Sequence, residues 1–153
     1  MQVKDIMTVS VKTVTPDTPL IEVVSLMCLY RYSGLPVVDD GKLVGIIAEK
    51  DILAKLLPDV DAMMDGMAGI DFDSLMQDYT GLVRLMKVSD LMTAGVATVS
   101  PEMHILKAAS LMASKRFRRI PVADGDALVG MLSLGDVHKA IFHRSVSSNL
   151  SAA

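Results

Sequence analysis

The 153-residue sequence has a single cysteine, Cys28, no tryptophan, and only three phenylalanines and three tyrosines. One cysteine cannot form an internal disulfide, and without a Cys or Cys/His cluster no zinc site is expected. The scarcity of aromatic side chains argues against a stacking surface for single-stranded nucleic acid. Disulfides and structural metal are therefore not expected to explain the stability of this chain.

An excess of positive charge and long apolar runs are also missing. Fifteen Lys and Arg against eighteen Asp and Glu give a net charge of -3, so the overall charge does not favour nucleic acid as a partner. No apolar run reaches the roughly 18 residues of a membrane helix, and the N-terminus has no signal-peptide pattern. We therefore expect a cytoplasmic protein with neither a membrane nor a nucleic-acid partner.

The sequence does contain 51% apolar residues, enough to bury a core, and a clear internal repeat. Shifting the sequence by 85 positions aligns residues 3–53 with residues 88–138 without a gap. Of the 51 aligned pairs, 19 are identical, whereas unrelated sequences of ordinary composition match at roughly one position in sixteen. Two copies of one unit are therefore present.

Each copy has the pattern of a helical turn, a strand, a helix, two hairpin strands and a final helix. In the first copy we expect these elements at residues 3–7, 11–15, from Leu20 onward, 35–38, 43–48 and from Glu49 onward. In the second copy we expect them at residues 88–92, 96–100, from Ile105 onward, 120–123, 128–133 and from Leu134 onward. Thr18 is expected to cap the first amphipathic helix.

This pattern predicts an α/β (α+β) fold. A repeat of about 50 residues would leave one face of its sheet bare, so two β-α-β-β-α repeats are expected to pack sheet to sheet about a pseudo-twofold axis. We place the first repeat at residues 1–57 and the second at residues 88–143. Between them, residues 58–87 are expected to form a mobile acidic stretch around residues 59–69 and one amphipathic helix. Residues 144–153 are expected to form a flexible tail.

Three motifs of the first copy resemble the cystathionine-beta-synthase (CBS) domain: KDIMT at residues 4–8, LPVVD at 35–39 and VGII-x-x-x-D at 44–51. The second copy repeats them as SDLMT at 89–93, IPV at 120–122 and VGMLSLGD at 129–136. The pair resembles a stand-alone Bateman module. That resemblance implies a sensor, not an enzyme, which binds AMP, ADP, ATP, S-adenosylmethionine or sometimes NAD in two clefts between the repeats. It also implies that the Asp of a Ser/Thr-x-x-Asp motif holds the ribose.

The ribose motif is complete only in the second copy, as Ser133-x-x-Asp136. A carboxylate in the first turn of a helix stays ionised and can accept hydrogen bonds from both hydroxyls of a cis-diol. The same spacing is also close to a capping box, which needs no ligand. In the first copy Asp51 keeps the carboxylate, but Ala48 stands where Ser or Thr is expected, so that cleft is predicted to be the weaker.

A phosphate group also needs cations. Lys115, Arg116, Arg118 and Arg119 form a dense basic run, and a solvated helix end would account for the first two. Arg118 and Arg119 lie beyond the expected helix, where the resemblance implies phosphate contacts and where Arg can bind oxygen pairs bidentately. By the symmetry of the module, Arg119 is expected to face the cleft that contains Asp51, and Arg118 either cleft.

The base is expected in an apolar slot lined by the first strands, with small residues at the mouth of one cleft. Ser33 and Gly34 are expected to border the cleft of Asp136. The other candidate lining residues are Val11, Lys12, Thr13, Thr98, Pro121 and Met131.

No catalytic or metal-binding set is expected. His104, His138 and His143 have no second ligand at useful spacing, and most of the twelve Met are expected in the core or an interface. Apolar residues that one module leaves over argue for a homodimer; they include Leu75, Tyr79, Leu82 and Met86. The leading interpretation is a non-enzymatic, homodimeric adenine-nucleotide sensor. The alternative is a ligand-free homodimeric module that docks on an unidentified enzyme or transporter, and the Arg118-Arg119 pair favours the sensor.

Overall fold

The computed structural model describes residues 1–58, 61, 64, 66 and 69–151. The predicted mobile stretch at residues 59–69 and the end of the predicted tail fall largely outside these described residues. After a short 3-10 turn at Val3–Asp5, the helices and strands follow in chain order: α1 Leu20–Tyr30, β1 Gly34–Asp39, β2 Lys42–Ala48, α2 Glu49–Leu53, α3 Phe72–Leu85, α4 Val88–Leu91, α5 Ile105–Ser114, β3 Arg119–Asp124, β4 Ala127–Ser133 and α6 Leu134–Ser151. The mixed α/β class is confirmed.

The chain forms two compact units, and these do not coincide with the two sequence repeats. The first unit comprises Met1–Val11, Gly41–Leu43 and Ala97–Ala153, and the second comprises Lys12–Asp40 and Val44–Val96. Each unit therefore combines the opening turn of one repeat with the body of the other.

In the first unit, the opening turn of the first repeat is bound to the second repeat by backbone hydrogen bonds. The Val3 amide donates to the Met103 carbonyl at 2.9 Å, and Thr8 and Met131 exchange two bonds of 2.9 Å. Gly130 lies under this turn, because an added Cβ would be 2.9 Å from the Thr8 carbonyl oxygen and 2.8 Å from the Met7 sulfur. A glycine is therefore needed where the turn crosses β4.

The second unit repeats this arrangement. Thr93 donates to the Ile46 carbonyl at 2.8 Å and accepts from the Ile46 amide at 3.0 Å. An added Cβ on Gly45 would be 2.8 Å from the Thr93 carbonyl oxygen. The Val88 amide donates to the Thr18 carbonyl at 3.0 Å, which fixes the start of α4.

Each unit has its own apolar core, to which the exchanged turn contributes a buried valine. In the first unit the fully packed residues are Val3, Val99, Ile105, Ala108, Met112, Ile120, Val122, Leu132 and Val137. In the second unit they are Val14, Leu20, Val23, Met27, Leu35, Val37, Ile47, Ile52, Val83 and Val88. Val3 and Val88 are both 0% exposed, so the opening turns belong to the cores that they cover.

Hydrogen bonding gives the strand order β1-β2-β4-β3. Strands β3 and β4 form an antiparallel hairpin in which Arg119 is directly opposite Ser133 and Asp124 is opposite Ala127. Lys42 at the start of β2 pairs with Ala127 of β4. The hairpins, the paired amphipathic helices and the first turns lie where the sequence predicts them.

Several expectations about local structure were wrong. The N-cap of α1 is Pro19, not Thr18; the Thr18 hydroxyl oxygen instead accepts from the Thr15 amide at 2.9 Å, because Pro16 and Pro19 leave a tight turn between them. The predicted first strands are reduced to one-residue parallel bridges, Val14 with Val37 and Val99 with Val122. Proline after each of these short segments ends the extended chain.

Two further expectations concerned the C-terminal tail and the residues predicted to form an association surface. Helix α6 continues to Ser151, so regular structure does not end at residue 143. Of the predicted association residues, Tyr79 and Leu82 of α3 and Met86 just after it pack against the core of the second unit and are partly buried. Leu75 is half-buried and is not among the residues packed on that core. The homodimer itself stays a prediction.

Candidate functional site

The candidate site begins where β4 passes into α6. The Asp136 carboxylate accepts two hydrogen bonds on Oδ2, from the Ser133 amide at 2.9 Å and from the Ser133 hydroxyl at 2.7 Å. The Asp136 amide donates back to the Ser133 Oγ at 3.0 Å. The pair therefore forms a reciprocal capping box, and within the described part of the chain no donor occupies Asp136 Oδ1.

Two arginines flank this motif on the neighbouring strand. Arg119 pairs directly with Ser133 across the hairpin, so the two side chains leave the same face of the sheet. The Leu134 amide donates to the Arg118 carbonyl at 3.1 Å, which holds the preceding residue beside the start of α6. Both arginines are exposed, and among the residues that the structure describes neither forms an ion pair.

The rest of the basic run belongs to the end of α5. Arg116 has a φ of 58°, the Phe117 amide donates to the Met112 carbonyl at 2.8 Å, and the Arg116 amide donates to the Ala113 carbonyl at 3.1 Å. This is a Schellman motif, which ends a helix with one left-handed residue. Helix termination therefore accounts for Lys115 and Arg116 but not for Arg118 and Arg119.

The equivalent place in the second unit has the same backbone and different side chains. Asp51 Oδ2 accepts from the Ala48 amide at 2.8 Å, and the Glu49 amide donates to the Ser33 carbonyl at 3.0 Å. Gly34 stands opposite the end of β2, and a Cβ there would be 3.6 Å from the Ala48 Cβ. The backbone arrangement is repeated, but the second unit has no equivalent of the Ser133 hydroxyl or of the Arg118 and Arg119 guanidinium groups.

The other candidate lining residues are divided between the units. In the first unit Pro121 is buried, Val11 and Met131 are half-buried, and Thr98 is exposed. The Val99 amide donates to the Pro121 carbonyl at 3.1 Å, so Thr98 lies beside the start of β3.

In the second unit Lys12 and Ser33 are exposed, and Thr13 and Gly34 are half-buried. The expected pairings of Arg119 with Asp51 and of Ser33 and Gly34 with Asp136 join different units and stay predictions.

Sequence reasoning missed the backbone that supports the site. It assigned Thr8 to the first repeat, whereas the structure pairs Thr8 with Met131, two residues before Ser133. The sequence did carry one signal of this crossing: both repeats have a glycine at the equivalent positions Gly45 and Gly130. A glycine inside a strand often marks the close approach of another backbone.

In the described ranges there is no group of three His, Cys, Asp or Glu side chains that could hold a metal ion. No helix among those residues is long and apolar enough to cross a membrane. Burial, and to a lesser extent Cys28, raises the pKa of the Tyr79 phenol above its ordinary value, but this residue lies in α3 and not at the candidate site.

Comparison with known proteins gives consistent matches along the chain. A family model described as CBS domain matches residues 3–58 and 88–143. The chain is 33% identical over 155 residues to the uncharacterized protein MJ1426 of Methanocaldococcus jannaschii, covering 92% of this chain and 91% of that protein. It is 32% identical to the CBS domain-containing protein YhcV of Bacillus subtilis, covering 88% and 81%. The crystal structure of CBSX2 in complex with AMP superimposes with a TM-score of 0.72 at 30% identity, covering 94% and 98%.

Proposed function

The chain belongs to the CBS-domain family, and we propose that it is a non-enzymatic regulatory module that binds an adenine nucleotide, AMP, ADP or ATP, between its two repeats. The observation that carries this proposal is the complete Ser133–Asp136 motif with Arg119 directly opposite Ser133. The AMP complex of the similar protein CBSX2 supports the class of ligand.

Asp136 would bind the ribose. Its Oδ2 is committed to the capping box, which fixes the side-chain rotamer, and its Oδ1 is left to accept hydrogen bonds from the ribose hydroxyls. Hydrogen bonds that a carboxylate accepts are charge-assisted, and the start of a helix favours negative charge at this place. Capping and ligand binding therefore do not compete for the same oxygen.

Arg118 and Arg119 would bind the phosphate. Both arginines are exposed, and they lie beside the ribose motif on the neighbouring strand. Planar guanidinium groups match phosphate oxygens bidentately, and an arginine without a carboxylate partner keeps this capacity. The base would lie beside Val11, Thr98, Pro121 and Met131 of the first unit.

A second and weaker nucleotide site would contain Asp51, Lys12 and Thr13. Asp51 is fixed only by the Ala48 amide, and the positions of the two arginines are taken by Ser33 and Gly34.

The module would act as a homodimer. Ligand binding between repeats changes their relative angle only if the ligand binds one geometry more tightly than another. A dimer of such modules could pass this change to a regulated enzyme or transporter. A cytoplasmic location stays a prediction.

The proposal is tested by calorimetry of the full chain against AMP, ADP, ATP, S-adenosylmethionine and NAD, with GMP as a control. We expect adenine nucleotides to bind and to raise the melting temperature, because a ligand that binds only the folded state stabilises it by mass action. If no adenosine compound binds at millimolar concentration, the proposal is wrong. Preferential binding of S-adenosylmethionine or NAD would replace the nucleotide with that ligand.

The role of the arginines is tested by the ratio of ATP affinity to adenosine affinity. Arg118→Gln with Arg119→Gln should lower ATP affinity more than adenosine affinity, and salt should weaken ATP binding to the wild type. The matched control, Lys139→Gln with Arg144→Gln, removes the same charge from exposed positions of α6. Equal ratios in all three proteins would show that Arg118 and Arg119 are only a solvated surface.

A ligand-free interaction module is the second candidate. The reciprocal hydrogen bonds of Ser133 and Asp136 favour it, because the capping box is complete without a ligand. The calorimetric series decides between the two functions.

A further inference from the structure

A groove in the first unit lies outside the candidate nucleotide site. It runs between the start of α5 and the second half of α6 and has a volume of about 580 Å³. Binding pockets for small organic molecules have volumes of about 300 to 1,000 Å³ and combine apolar walls with a few polar groups. Neither Asp136 nor Arg119 lines this groove, so nucleotide binding gives it no function.

One face of α6 forms the longer wall of the groove. Its lining residues follow the spacing i, i+3, i+4, i+7 and i+8, which places them on one side of a helix; they are Ile141, Arg144, Ser145, Ser148 and Asn149. At a rise of about 1.5 Å per residue, this face is roughly 12 Å long. The family model ends at residue 143, so the CBS fold does not require the polar part of this wall.

The end of the groove at α5 is apolar. Ile105 is buried at 3% exposure, whereas Leu106 and Ile141 are exposed by 54% and 40%. Every residue of α6 beyond Ala140 is exposed, although a helix in a protein gains most of its stability by packing one face. Large apolar side chains exposed along a concave surface indicate a ligand with an apolar part.

The other end of the groove is polar and carries Arg144, the one cationic side chain of the lining. No lining residue is acidic, and among the described residues Arg144 has no ion-pair partner. Ser145 and Ser148 donate their hydroxyls to carbonyls one turn back in α6, at 3.0 and 2.9 Å. The Arg144 guanidinium and the Asn149 side-chain amide are therefore the donors of this wall that are left for a ligand.

His104, just before α5, adds a neutral group to the lining. Its Nδ1 accepts from the Leu106 amide at 3.2 Å, and an imidazole that accepts on Nδ1 is neutral with its hydrogen on Nε2. The side chains of the groove therefore present a single positive charge. One guanidinium group binds both oxygens of a carboxylate, whereas a phosphate dianion would keep a second charge unpaired. These properties favour a ligand with one negative charge.

We propose that this groove binds a free aliphatic monocarboxylate, with the carboxylate on Arg144 and the chain against Leu106 and Ile141. A saturated chain of about eight carbons matches the roughly 12 Å length of the α6 face. Apolar burial and one charge pair then act on opposite ends of the same ligand, which fixes its direction in the groove.

A titration of the full chain followed by NMR of the backbone amides tests the ligand class, with octanoate as the probe. Octanoate at millimolar concentration should shift the amide signals of Leu106, Ile141 and Arg144. Octanol lacks the charge and butyrate lacks most of the chain. Each should bind about tenfold more weakly than octanoate, the effect of losing a charge-assisted hydrogen bond or several buried methylenes.

Two pairs of variants test the contacts. Arg144→Gln should raise the dissociation constant of octanoate about tenfold and that of octanol less than about twofold. Its control, Lys139→Gln, removes an exposed charge from the same helix outside the groove lining. Ile141→Ser should weaken both ligands, because both lose apolar contact. Its control is Phe142→Ser, at a neighbouring residue that is 61% exposed and does not line the groove.

Several results would overturn the proposal. They are no octanoate binding at millimolar concentration, equal affinity for octanoate and octanol, and unchanged octanoate affinity in Arg144→Gln. If the groove signals respond to protein concentration and not to octanoate, a second copy covers the groove and the proposal is wrong. Because the groove and the Ser133–Asp136 motif share no residue, octanoate binding without AMP binding would uphold this site and overturn only the nucleotide function.

Discussion

Asp136 shows how one carboxylate can serve the fold and a ligand. Its Oδ2 holds the Ser133 amide and hydroxyl, and this closes the first turn of α6. Asp51 makes the same backbone bond to Ala48 at 2.8 Å without the hydroxyl. The two residues are therefore matched in their capping role and differ in what surrounds them, which allows the two roles to be separated by mutation.

We predict that Asp136→Ala weakens adenine-nucleotide binding by about 1.5 to 3 kcal/mol, the range for losing charge-assisted hydrogen bonds. Asp51→Ala should weaken binding less, while both variants should lose a similar helix cap of about 1 kcal/mol. Calorimetry and thermal unfolding of the two proteins measure the two effects. Equal losses of affinity would mean that the two sites are equivalent despite Ala48.

Residue types predicted the cap at Ser133 and Asp136 correctly, whereas the local geometry around Thr18 was less predictable. The Ser133-x-x-Asp136 spacing indicated both a cap and a ribose motif, and the capping geometry is present. Thr18 was the wrong cap because a threonine hydroxyl can also bond within a turn, and the neighbouring prolines made the turn the better choice. A single hydroxyl with two partners at similar spacing cannot be assigned from sequence.

At the scale of elements, the hairpins and amphipathic helices followed the periodicity of apolar residues closely. The predicted first strands at residues 11–15 and 96–100 did not form, because Val14 and Val99 each pair with a single residue and make no ladder. Each valine is nonetheless buried, at 5% and 1% exposure. Apolar alternation predicted which side chains are buried and overestimated how much regular strand surrounds them.

The close crossing of each opening turn over a strand gives a prediction about glycine. Gly130→Ala should lower the free energy of unfolding by about 1 to 3 kcal/mol, because a Cβ would lie 2.9 Å from the backbone oxygen of Thr8. Gly81→Ala is the control: it lies in α3 with nothing within 4 Å of an added Cβ. That change should stabilise the protein by about 0.5 to 1 kcal/mol.

Chemical denaturation of the wild type and the two variants measures both changes in the free energy of unfolding, the decrease in Gly130→Ala and the increase in Gly81→Ala. If Gly130→Ala is as stable as the wild type, the turn does not lie against β4 as described.

At the scale of the whole molecule, the sequence repeat and the folded unit are different objects. Alignment at an offset of 85 residues shows which residues are equivalent, and it cannot show that Val3 enters the core of the first unit beside Val99. The exchange depends on contacts between residues far apart in the chain, such as Val3 with Met103 and Val88 with Thr18, for which sequence spacing carries no information.

If the nucleotide signals through the dimer, ligand binding and dimerisation must be coupled, and the coupling must be reciprocal. When each chain binds one nucleotide, a nucleotide that binds the dimer more tightly than the monomer by some factor tightens the dimer by the square of that factor. We expect saturating AMP to change the dimer dissociation constant, and a coupling of about 1 kcal/mol per site would change it roughly thirtyfold.

Sedimentation with and without AMP gives this change, and binding titrations of the wild type at concentrations above and below its dimer dissociation constant give the factor for binding. Agreement between the squared factor and the change in dimer constant would establish the dimer as the element that the nucleotide shifts. An unchanged dimer constant, together with AMP affinity equal in monomer and dimer, would mean that any signal passes through the angle between repeats within one chain.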